Sequence, residues 1–111
     1  MAETLNEGDW ESLARNILRA ELMRRGLSYA RLVELLARLG IEETEAAIKN
    51  KVSRGRFTHV FFLQAMVAIG VDWIQIPTSD SLLNGDGIGN QGAQLLARQS
   101  HSRDSSPATK K

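Results

Sequence analysis

Four glycines, Gly26, Gly40, Gly55 and Gly70, each close a segment whose apolar residues recur at helical spacing. A side chain able to cap a helix stands before every one of those segments. This punctuation predicts an all-α chain of four to five short helices. Asp9 is the expected cap of the first, because its carboxylate accepts from first-turn N–H groups. Trp10, Leu13, Ala14, Ile17 and Leu18 form its apolar stripe, and Arg15, Arg19, Arg24 and Arg25 are expected to face water. Glu21 interrupts the stripe. It is expected to pair with Arg25 at the surface, or with a cation of another helix such as Arg54.

Ser28 opens the second helix, with Leu27 and Leu32 as a hydrophobic staple and Leu32, Leu35, Leu36 and Leu39 as the buried face. Tyr29 sits in its first turn, where the ring can pack and the hydroxyl can reach a phosphate. Thr44 caps a third helix over Glu45 to Arg54. There Ile48 and Val52 point inward, Ala46, Ala47, Asn50, Ser53 and Arg54 point away, and Lys49 lies on the border. Thr58 caps a fourth, stapled by Phe57 and Phe62. Its run V-F-F-L-Q-A-M-V-A-I is apolar nearly all round, so it is the expected central helix. Trp73 is expected to close one end of the core.

From Thr78 onward the chain turns polar and glycine-rich, a composition that buries too little apolar surface to offset its ordering entropy. The predicted organisation is a helical domain over 9–77 and a flexible tail over 78–111, with a weak helix over Ala93 to Gln99.

The formal net charge of +1 does not indicate a strongly basic nucleic-acid binder, but the charge is unevenly spread. Residues 10–73 hold ten Lys/Arg against seven Asp/Glu, whereas residues 1–9 hold three acids and no base. The run K-N-K-V-S-R-G-R-F, from Lys49 to Phe57, carries four cations and no acid, which favours an anionic partner.

Catalysis has little support. Cysteine is absent, His59 at a helix start is expected to be a capping-turn or surface residue and His101 lies in the tail, and Glu42, Glu43 and Glu45 lack a histidine at metal-ligand spacing. D-G-I-G-N-Q-G has no following strand and is expected to be a linker. No enzymatic activity, cofactor, metal or small-molecule substrate is therefore expected. The longest apolar stretch, Val60 to Val71, is broken by Gln64 and Gly70 and is shorter than the ~20 residues that span a bilayer. A cytoplasmic location is the expectation.

Two helices joined by a tight turn, the second carrying an outward polar face, suggest a helix-turn-helix. In that motif the second helix enters the major groove of DNA. Asn50 would contact adenine, Arg54 guanine or phosphate, and Ser53 either. Lys49, Lys51, Arg56 and Arg31 would contact phosphates. The same residues also suit the solvated side of an amphipathic helix.

L-S-Y-A-R-L-V-E-L-L, then I-K-N-K-V-S-R-G-R-F and L-Q-A-M-V-A-I-G-V, resembles the repressor-type helix-turn-helix proteins of bacteria and phages. The chain is longer than that motif on both sides of Gly40, and Leu36 stands where the motif usually has alanine. W-E-S-L-A-R-N-I-L-R-A-E-L-M-R-R-G-L-S-Y-A, with N-K-V-S-R-G-R-F and F-F-L-Q-A, resembles more closely a family of small bacterial domains of unknown function. The repressor-type resemblance implies a repressor-like helical bundle and double-stranded DNA as partner, with transcription regulation as the role and a homodimer among the assemblies it allows; the family of unknown function brings no established activity. The alternative is a protein-interaction module that keeps the fold without binding DNA. It is favoured by the near-neutral total charge and by the acidic approach Glu42-Glu43-Thr44-Glu45. RNA binding through the same run would lack an aromatic stacking platform.

Overall fold

The computed structural model describes residues 4–98, and every regular element among them is a helix. These are α1 (Glu7–Arg25), α2 (Tyr29–Arg38), α3 (Glu45–Arg54), α4 (His59–Ala68), α5 (Ser79–Leu83) and α6 (92–98). The chain is all-α as expected, with one helix more than the sequence suggested.

Local chemistry sets most of the boundaries. The hydroxyls of Ser28, Thr44 and Thr58 accept from the N–H groups of Arg31, Ala47 and Phe61 at 3.0–3.1 Å, each satisfying a first-turn donor. Asp9 is not the cap of α1. Asn6 takes that place, accepting from Asp9 N at 2.8 Å, while the Asp9 carboxylate accepts from Asn6 N at 3.0 Å. This reciprocal pair satisfies two donors where Asp9 alone would satisfy one, so the helix starts earlier. Gly26 and Gly55 end α1 and α3 in the left-handed conformation.

The main core lies where α1, α2, α3 and α4 meet. It is built from Leu18, Leu22, Leu32, Leu36, Ile48, Val52, Phe61, Ala65, Met66 and Ile69. Leu18, Leu32, Leu36, Ile48 and Val52 are essentially sealed from solvent, and each such burial is worth roughly 1.5–3 kcal/mol. α3 packs on both α1 and α2, and α4 packs on α2. Phe57 stacks on Phe62 with ring centroids 6.2 Å apart, which seats the start of α4.

Three expectations about burial are corrected. α4 is not buried all round: Phe61, Ala65 and Met66 face the core, whereas Val60, Leu63 and Val67 are exposed. A helix covered from one side buries one face whatever its composition. Leu39 falls outside the core because α2 ends at Arg38 and the chain turns away. Trp73 lies in the irregular segment 71–78, half exposed, and seals nothing.

The chain beyond Thr78 departs most from expectation. α5, the glycine-rich loop and α6 fold back on α1, forming a second cluster of Leu13, Ala20, Leu82 and Leu96, with Leu5, Ile17, Ile88 and Ala97 packed around it. Asn16, fully buried on α1, donates through Nδ2 to the carbonyls of Gly87 at 2.9 Å and Gly89 at 3.0 Å. The glycines of D-G-I-G-N-Q-G thus allow tight wrapping rather than looseness. A Cβ on Gly92 would run into the Asn16 amide and the Gly87 backbone. The helix expected over Ala93 to Gln99 is present as 92–98, but packed. The expected tail is corrected over 78–98; Gln99, His101 and the rest of 99–111 lie outside the described residues.

Candidate functional site

α3 carries five of the seven residues expected at a nucleic-acid surface, and Gly55 decides how they are displayed. Its φ of 65° ends the helix, and a Cβ there would collide with the backbone of Glu11, so α3 meets α1 at this point with no room for a side chain. The approach carries Arg56 to the start of α1, where its guanidinium binds Glu11 and lies 3.6 Å from Glu7. The hydrogen bond to Glu11 is the main cause of a raised Arg56 pKa.

Acids hold most of the expected phosphate contacts. Lys51 Nζ lies 2.5 Å from Glu43 and 4.6 Å from the centre of the Phe61 ring, so it braces the connection before α3 and the core edge together. Arg31, on α2, is bound to Glu34 at 2.6 Å. Lys49 is paired loosely with Glu45 at 3.6 Å, with both side chains exposed. Arg54 has no carboxylate partner among the described residues. Asn50 and Ser53 are exposed beside it, and the Ser53 hydroxyl returns to the Asn50 carbonyl at 3.2 Å. Lys49, Asn50, Ser53 and Arg54 thus share the open side of α3, while Lys51, Arg56 and Arg31 are drawn into ion pairs.

Two residues read as solvated cations prove to be part of the same surface. Arg15 and Arg19, one turn apart on α1, line a cleft of about 470 Å³ with Tyr29, Lys49, Ser53 and Asn90. Arg15 donates to the Ser53 carbonyl at 3.4 Å and to the Ser12 hydroxyl at 2.9 Å. Burial raises the Tyr29 hydroxyl's pKa above its ordinary 10.0, while Arg19 and Arg15 pull against that rise. The sequence signal for this grouping was weak: i,i+4 arginines on an amphipathic helix usually point to water.

Glu21 shows the contrast. It is buried, and both Arg24 and Arg25 bind its carboxylate. The pairing with Arg25 is as expected; the exposure is not, and Arg54 is not among its partners. His59 is exposed and stacks on Phe62 at 6.3 Å, consistent with a surface residue. Among the described residues no group of acids, histidines or cysteines could hold a metal, and no helix is long and apolar enough to cross a membrane.

Residues 10–74 match a family described as a domain of unknown function, DUF6471, and the chain belongs to that family. The match stops before α5, so the segment that wraps Asn16 lies outside it. No curated protein and no solved structure matches the chain.

Proposed function

We propose that this member of the DUF6471 family binds duplex DNA, presenting the open side of α3 to the major groove in the manner of a repressor-like helix-turn-helix regulator. The observation that carries the reading is the exposed set Lys49, Asn50, Ser53 and Arg54 on a helix whose opposite side, Ile48 and Val52, is locked into the core. α3 packs on both α1 and α2, which leaves its outward side to meet base edges in the way a recognition helix does. Asn50 supplies a bidentate amide for adenine and Arg54 a fork for guanine or phosphate. Arg31, Lys51 and Arg56 have minor roles here, since each must leave a carboxylate before reaching a phosphate.

An anisotropy titration of the full chain against random and genomic duplexes, at two salt concentrations, tests this. Binding should weaken with salt at a log–log slope of about −0.9 per phosphate contact. Arg54→Ala should weaken it without changing the fold. Absence of binding at low salt overturns the reading.

A second reading, a protein-interaction module, is favoured by the exposed Val60, Leu63 and Val67 on one side of α4. Under it, Val67→Glu abolishes self-association or partner capture and leaves any duplex affinity unchanged.

A further inference from the structure

Arg15 and Arg19 are partly buried, and neither has a carboxylate partner among the described residues. Removing a guanidinium from water without a counter-charge is costly. Elsewhere on α1 the chain avoids that cost, with Arg24 and Arg25 sharing Glu21. Glu11, one turn before Arg15 and well placed to pair with it, is instead taken by Arg56. Arg15 and Arg19 are therefore left without acids in the α1–α3 cleft, while Arg24, Arg25 and Arg56 close by are paired.

Other polar groups of the cleft are also able to donate: the Lys49 ammonium, the Tyr29 hydroxyl and the Asn90 amide. Glu45 is outside the cleft, lining a neighbouring pocket with Arg19 and Tyr29, and is attached to Lys49 by an exposed pair of the kind worth little. Two guanidinium forks, an ammonium and several neutral donors exceed what the two oxygens of a carboxylate can accept. They suit the oxygens of a phosphate group.

We propose that the cleft between α1 and α3 is a phosphate-binding site, in which Arg15 and Arg19 grip one phosphate group while Lys49 and the Tyr29 hydroxyl close on its remaining oxygens. The phosphate has two sources: the backbone of a duplex lying on α3, which rests on the reading above, or a free phosphorylated small molecule. At about 470 Å³ the cleft is larger than a phosphate alone and has room for part of what carries it.

Inorganic pyrophosphate titrated into the full chain at constant ionic strength tests the site, read by the arginine Nε resonances and by the phenolate absorbance of Tyr29, the single tyrosine. Saturable binding is expected, with a further rise in the Tyr29 midpoint as the anion offsets the two arginines. Arg15→Gln with Arg19→Gln should reduce pyrophosphate affinity about ten-fold or more. Arg15→Lys with Arg19→Lys retains the charge and should bind with intermediate affinity. Non-saturable binding, or saturable binding unchanged in the Gln variant, overturns the site whatever the DNA result.

The duplex arm then separates the sources. If the salt slope falls by about 0.9 for each arginine removed, the phosphate belongs to the backbone. If wild type binds pyrophosphate in the cleft but no duplex, the DNA reading fails and the site stands for a free ligand.

Discussion

The Asn16 side-chain amide, buried on α1, donates to the Gly87 carbonyl at 2.9 Å across seventy-one positions of sequence. Its second bond, to Gly89, makes one residue the anchor of a loop whose composition reads as disordered. Through that anchor Asn90 reaches the α1–α3 cleft.

Asn16→Ala should therefore release the C-terminal segment before the rest of the molecule. The buried Gly87 carbonyl and the part-buried Gly89 carbonyl lose their donor, a cost of roughly 1–3 kcal/mol. Gly92→Ala should act alike, through collision rather than loss of bonds. Hydrogen exchange is expected to show faster opening of 79–98 with α2 and α4 unchanged. Uniform acceleration throughout would mean that the segment and the bundle unfold together.

Gly55 and Gly26 form a matched pair for a second prediction. Their φ angles are 65° and 64°, so alanine meets the same backbone penalty at both, about 1 kcal/mol. Only at Gly55 does the new Cβ also strike the Glu11 backbone. Gly55→Ala should lower Tm well beyond Gly26→Ala and separate Arg56 from Glu11. Equal losses in thermal melts would place the α1–α3 approach elsewhere.

Tyr29 leads to a pH dependence whose sign follows from its raised pKa. Between the unfolded value near 10 and the higher folded value, the folded protein keeps a proton that the unfolded chain has released. The stabilisation is complete below that window and is lost as pH rises through it. Urea melts across the alkaline range should show a falling limb that Tyr29→Phe flattens. A Tyr29 that titrates at the ordinary value would leave no such slope, and one that titrates below it would reverse the slope.

Lys51 and Arg54 are both outward cations in sequence, yet the structure separates them. Lys51→Ala should cost about 0.5–1 kcal/mol, since it removes the contact over Phe61 as well as the pair with Glu43. Arg54→Ala should change stability by no more than about 0.5 kcal/mol and act on duplex affinity instead. Denaturant midpoints and anisotropy measured on the same samples separate the two roles; the opposite assignment would make Lys51 the contact residue.

Local features were legible in the chain before any fold was known. Ser28, Thr44 and Thr58 marked helix starts, Gly26 and Gly55 marked ends, and the spacing of Ile48 and Val52 showed which side of α3 is inward, because each signal acts within one or two helical turns. The pairing of polar side chains from different elements was not legible, because it depends on contacts between those elements. Whether Lys51 and Arg56 are free depends on Glu43 and Glu11, carried in by other elements, and α4 looked central until α2 covered just one of its faces. The segment after Thr78 is the clearest case. Its glycines read as flexibility because composition reports entropy, whereas the buried amide that holds them lies on a helix far away in sequence.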